Sequence, residues 1–122
     1  MMMIVIAALA AVQGAGPGPV NSRQLSDARD AFDARLFDYP SARFRETRGN
    51  GFILCGMVNA KNRMGAYTGW QQFAVYSGSD DDGPGLYIED STDGGEIMLE
   101  ICSVSEDAKR GKDWSAEISY RR

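Results

Sequence analysis

The run Phe52-Ile53-Leu54-Cys55-Gly56-Met57-Val58 carries no polar side chain. A strand with no polar face belongs inside a sheet rather than at its edge. It is entered through Gly49-Asn50-Gly51 and left at Asn59. Before it, Ser41 to Glu46 alternates, with Ala42 and Phe44 on one side and Ser41, Arg43 and Arg45 on the other, the pattern of a half-exposed strand. The glycines flanking Asn50 supply positive φ for a tight turn, so the two strands are expected to form a hairpin. Beyond the polar segment that follows, Tyr67 to Tyr76 is rich in aromatic and β-branched residues and is expected to pair beside the second strand.

Upstream, Leu25, Ala28, Phe32 and Leu36 recur at three- and four-residue spacing between Ser22 and Asp38, predicting an amphipathic helix. Asn21, Ser22 or Ser26 is its cap, and Pro40 ends it. Downstream, Asp80-Asp81-Asp82-Gly83-Pro84-Gly85 reads as a solvated turn, and Leu86-Tyr87-Ile88 and Glu96 to Cys102 as strands around an Asp93-Gly94 turn. Ile97, Leu99 and Ile101 would then face one way. Val104 to Lys112 fits one helical turn, and the alternation of Trp114, Ala116, Ile118 and Tyr120 predicts a last strand. The expected fold is α+β, with one N-terminal amphipathic helix packed on a mainly antiparallel, twisted sheet of about five to six strands. The helix stripe should cover Phe44, one face of Phe52 to Val58 and part of Tyr67 to Tyr76.

Met1 to Val20 holds no charged residue. Its apolar run is short for a bilayer span and is followed by small residues, so residues 1–14 read as a signal peptide, cleaved after Ala10 or Gly14. An uncleaved amphiphilic tail is the alternative. Residues 15–20 form a Gly/Pro linker and 21–122 a single domain, expected to be periplasmic or secreted with no stable membrane span after processing. Cys55 and Cys102 are an even count in a chain read as exported, which favours a disulfide worth about 4 kcal/mol in the chain-entropy model; two buried thiols are the alternative.

The net charge of −4 is unevenly distributed, because residues 79–104 contain eight acidic and no basic groups. An acidic chain without a basic stripe argues against nucleic acid as a partner. Arg43, Arg45, Arg48, Lys61 and Arg63 form either one local patch or a solvated strand face. The chain has no histidine, which removes the Ser-His-Asp and Cys-His arrangements and most zinc sites. No cofactor or metal is expected. A carboxylate-dependent enzyme would need two of Glu89, Asp90, Asp93, Glu96 and Glu100 in one cleft, against the simpler reading of solvated loops. Neither acidic loop matches the spacing of a calcium-binding loop.

The candidate binding residues are Asn59, Lys61, Asn62, Arg63, Tyr67 and Trp70, a mixed polar, cationic and aromatic set of the kind that makes a recognition surface. Turn chemistry would select many of the same residue types, with Asn59 and Asn62 as turn formers and Gly65 and Gly69 as permissive backbone. Two segments, Asp38-Tyr39-Pro40-Ser41-Ala42-Arg43-Phe44 and Cys55-Gly56-x-Val58-Asn59-Ala60-Lys61-Asn62-x-x-Gly65-x-Tyr67-Thr68-Gly69-Trp70, resemble a family of small exported bacterial proteins of uncharacterised function. Its members often carry Glu at the position of Met57. The resemblance covers roughly residues 22–76 and implies export and a shared fold; it implies no activity. The expected function is a non-enzymatic protein-binding or envelope-associated module, whose partner is an envelope or foreign protein. A small carboxylate-dependent enzyme and a stability-only accessory domain are the alternatives.

Overall fold

The computed structural model describes residues 18–77, 85–89 and 96–121. The segment read above as a signal peptide, the Asp80–Pro84 stretch expected to turn, and Asp90 and Asp93-Gly94 lie outside the described residues.

Helix α1 (Ser22–Arg35) opens with a capping box: the Asn21 side chain accepts the Gln24 N–H at 2.8 Å, and the Gln24 side chain accepts the Asn21 N–H at 3.4 Å. Leu25, Ala28 and Phe32 are buried along one stripe. The helix stops short of the expected Asp38, because Leu36 turns into extended backbone and Tyr39–Ser41 forms a separate 3₁₀ turn containing Pro40. That turn buries Tyr39, whose hydroxyl donates to the Ile118 carbonyl.

Among the described residues the sheet has four strands, fewer than expected, in the order β1 (Arg43–Gly49), β2 (Ile53–Asn59), β3 (Gln71–Tyr76) and β4 (Gly85–Ile88), all neighbours antiparallel. Phe32 is the hub between helix and sheet, meeting Phe44 at 4.8 Å and Phe73 at 5.0 Å between ring centroids, both edge to face. Gly56 lies opposite Phe73, and a Cβ there would come within 2.7 Å of the Phe73 ring and 2.9 Å of the Thr47 hydroxyl. The β1–β2 hairpin forms as expected but without positive φ at Gly49 or Asn50. Instead the Asn50 side chain accepts the N–H groups of Phe52 and Ile53, and Gly49 is required because a Cβ would fall 2.0 Å from the Ile53 carbonyl oxygen.

Glu96 to Cys102, expected as a strand, belongs to helix α2 (Glu96–Val104). The apolar residues of this stretch satisfy a helical spacing as well as an alternating one, and the helical one wins: Met98, Leu99 and Cys102 share a face that packs on Ile53, Cys55 and Ala74. Cys55 and Cys102 sit at disulfide distance, with a Cα separation of 5.8 Å. Helix α3 (Glu106–Lys109) is the helical turn expected between Val104 and Lys112. With α1 on one face of β2 and α2 on the other, Ile53, Leu54, Cys55 and Val58 are all buried, which accounts for a strand with no polar side.

The expected strand from Trp114 to Tyr120 is also absent; Ser115–Ile118 is a single helical turn, α4. A β-bulge diverts the edge of β1. The register with β2 slips between Arg45 and Arg48, and Glu46 takes φ +56°. The freed N–H groups of Glu46 and Thr47 donate to the Asp113 carboxylate, each at 3.0 Å, and the Thr47 carbonyl accepts the Trp114 N–H at 2.7 Å. Ladder positions that a fifth strand would need are thereby filled by a carboxylate and a helix entry. Among the described residues, no helix is long and apolar enough to cross a membrane.

Candidate functional site

Between Asn59 and Trp70 the chain makes a polar arch over the end of the sheet, closed by an isolated bridge between Lys61 and Tyr67. The Asn62 side-chain oxygen accepts the N–H groups of Met64 at 2.9 Å and Ala66 at 3.2 Å, and the Asn59 side chain accepts that of Gly69 at 3.0 Å. The Ala60 carbonyl accepts both the N–H and the hydroxyl of Thr68. Gly65 and Gly69 take φ +81° and +97°, where a side chain would be strained although space for it is open. Two of the six candidate binding residues, Asn59 and Asn62, therefore build the arch with their side-chain oxygens.

The other four carry a different arrangement. The Arg43 guanidinium lies over the Tyr67 ring at 4.5 Å, with the Lys61 ammonium 5.3 Å from the same ring, and the Arg45 guanidinium lies over Trp70 at 4.1 Å. At the tip, Arg63 approaches the exposed Phe37 ring at 5.5 Å. The Tyr67 hydroxyl donates to the Ser41 carbonyl at 2.9 Å, tying the arch to the start of β1. Arg43, Arg45 and Arg63 are exposed, and Lys61 and Trp70 half-buried. Among the described residues, no carboxylate pairs with any of these four cations.

The basic residues thus gather as a patch, except Arg48, which lies beyond the bulge and donates to the Gly111 carbonyl at 3.3 Å. Sequence reasoning did not foresee Phe37, which lies in the irregular link after α1, nor the seating of each β1 arginine on an arch aromatic. The alternation at Arg43 and Arg45 was the available signal for the latter, since both must leave the face occupied by Phe44. Beside the patch is a cleft of about 290 Å³ on the sheet, with Met57, Gln72, Leu99, Cys102 and Glu46 among its lining.

The acidic residues gather no comparable site. Glu89 follows β4, while Glu96 and Glu100 lie on α2, and all three are exposed; Asp90 and Asp93 lie outside the described residues. Among the described residues, no cluster of three or more metal-ligating side chains occurs. Among the described residues, Asp113 is the carboxyl group held below its ordinary range. Burial pushes it up, but hydrogen bonds from the Ser115 hydroxyl and from the N–H groups of Ser115, Thr47 and Glu46 outweigh that and favour the carboxylate. Its oxygens are committed to the bulge and to the entry of the C-terminal helical turn.

Comparison with protein-family profiles, with curated proteins and with solved structures returns no match.

Proposed function

We propose that this is an exported, non-enzymatic recognition domain that binds a partner protein, in the envelope or outside the cell, through the arch and the arginines of β1. The observation that carries the reading is the cation–aromatic surface of Arg43, Arg45, Lys61, Arg63, Tyr67 and Trp70, gathered at one end of the sheet and partnered by no carboxylate among the described residues. Aromatic and arginine side chains are the types that dominate binding energy at protein interfaces.

The motif resembling the exported bacterial family supports the same division of labour. Gly56 makes room for Phe73, Asn59 and Asn62 accept turn N–H groups, Gly65 and Gly69 supply left-handed backbone, and Thr68 closes the arch. The side chains of Lys61 and Trp70 make no turn-building hydrogen bond of that kind among the described residues, and each meets its neighbour across an aromatic ring. The motif reads as a scaffold that presents those two side chains. Export is supported by the uncharged apolar start and by a cysteine pair at bonding distance, which suits an oxidising compartment.

The test is affinity capture from an envelope extract with the native domain and with a Lys61→Ser/Arg45→Ser variant of matched thermal stability. A protein retained by the native domain alone supports the reading. Identical retention by both, or by neither, overturns it.

A further inference from the structure

The four cations of the patch face outward with their charge uncompensated by any described carboxylate, while the rest of the chain brings the net charge to −4. This is a local positive field on an acidic molecule, which selects for a short anionic segment rather than for a long polyanion.

The aromatic rings are already in use. Trp70 is covered by Arg45, Tyr67 by Arg43 and Lys61, and the Tyr67 hydroxyl is spent on the Ser41 carbonyl. Stacking of nucleobases or sugars on open aromatic faces is the usual basis of single-strand nucleic-acid binding, and here cations occupy those faces. A guanidinium held over a ring keeps in-plane N–H donors, which match the two oxygens of a carboxylate, and the ring restricts its motion beforehand. Arg43 and Arg45 are two residues apart on β1, hence about 7 Å apart along the strand. An extended peptide presents alternate side chains at the same pitch.

We infer that the patch takes an extended acidic polypeptide segment of its partner, with carboxylates at alternate residues seated on Arg43 and Arg45 and a neighbouring acid reaching Lys61. The inference rests on the recognition reading above and names the chemistry of the partner.

The test uses fluorescence anisotropy with a labelled peptide of alternating Glu and Thr, its Gln-for-Glu counterpart and a single-stranded oligonucleotide. The proteins are the native chain, an Arg43→Gln/Arg45→Gln variant, and Arg110→Gln, which removes an exposed α3-flanking charge that pairs with Glu106 at 3.7 Å. The expected result is binding of the Glu peptide by the native chain, weakened about tenfold or more by the double substitution or by the Gln peptide, and little changed by Arg110→Gln. Equal binding of the Gln peptide, equal loss in Arg110→Gln, or tighter binding of the oligonucleotide overturns the inference. The Gln peptide is compared on the native chain, so that arm does not depend on the folding of any variant. If the native domain captures a partner through this surface and the acidic peptide does not displace it, the recognition reading stands and the acidic assignment falls. If nothing is captured and no peptide binds, both fall.

Discussion

The Asp113 carboxylate accepts the N–H of Glu46 at 3.0 Å, and through it a strained backbone turn in an edge strand is stitched to the C-terminal segment. The same carboxylate binds the N–H of Thr47 and both the N–H and hydroxyl of Ser115. It serves two elements at once: it takes up the N–H groups that the bulge releases, and it holds the entry to α4.

Asp113→Asn should destabilise the fold by about 1–2 kcal/mol, the low end for hydrogen bonds to a charged group because the carboxylate is largely in water. The pH dependence has a definite sign. The folded-state value lies below the ordinary 3.8, so the contribution is complete above that value and is lost as pH falls through the folded one. Urea midpoints measured from neutral to strongly acidic pH should fall more steeply for the native domain than for Asp113→Asn.

Tyr39 gives the opposite slope at the alkaline end. Burial raises its phenol from 10.0 to about 12, so the folded state holds the proton more tightly than the unfolded chain does. The Tyr39 contribution to stability should be complete below pH 10 and decline between 10 and about 12. Phenolate absorbance should contain a late-ionising component that Tyr39→Phe removes, at a cost of about 1 kcal/mol for the lost hydrogen bond to Ile118.

Gly56→Ala places a methyl group against the Phe73 ring and the Thr47 hydroxyl in the centre of the sheet. The cost should be about 1–3 kcal/mol, as for other overpacked sites. Thermal melting should show it, and a companion Phe73→Leu substitution should recover part of the loss if the clash is with the ring.

Cys102→Ser should lower stability by about 2–4 kcal/mol through the longer unconstrained loop. The effect is expected to be uneven. Helix α2 contributes only half-buried residues to its contact with the sheet, so hydrogen exchange in α2 and α3 should rise well before that in β2 and β3.

Arg45→Ala should leave stability within about 1 kcal/mol, the scale of a single exposed cation–π contact. It should nevertheless alter the fluorescence of Trp70, whose face it uncovers. Small thermal shifts with a large change in partner capture would separate presentation from support.

The first half of the chain was legible because its apolar residues answer to one period at a time. Leu25, Ala28 and Phe32 follow a helical spacing, and Ile53 to Val58 is a short apolar run bounded by turn residues, which favours an inner strand. The stretch from Ile97 to Cys102 fits both periods, and the choice is made by Cys55 and Ala74 on a strand distant in sequence. Trp114 to Tyr120 alternates cleanly, yet it meets a β1 edge whose N–H groups are already taken by Asp113, a consequence of a bulge that no periodicity announces. At the candidate site the residue types of the arch were readable, whereas the pairing of Arg43 with Tyr67 and Arg45 with Trp70 depends on the hairpin register bringing two distant segments together.

The antiparallel hairpin also sets a direction. The Gly18 carbonyl accepts the Gly51 N–H at 3.0 Å, so the described chain enters beside the β1–β2 turn, whereas the arch begins at Asn59, the far end of β2. At the rise of an extended strand the two points are roughly 20 Å apart. A contact made at the chain's entry and one made at the cationic patch would therefore fall at opposite ends of the hairpin, and neither would cover the other.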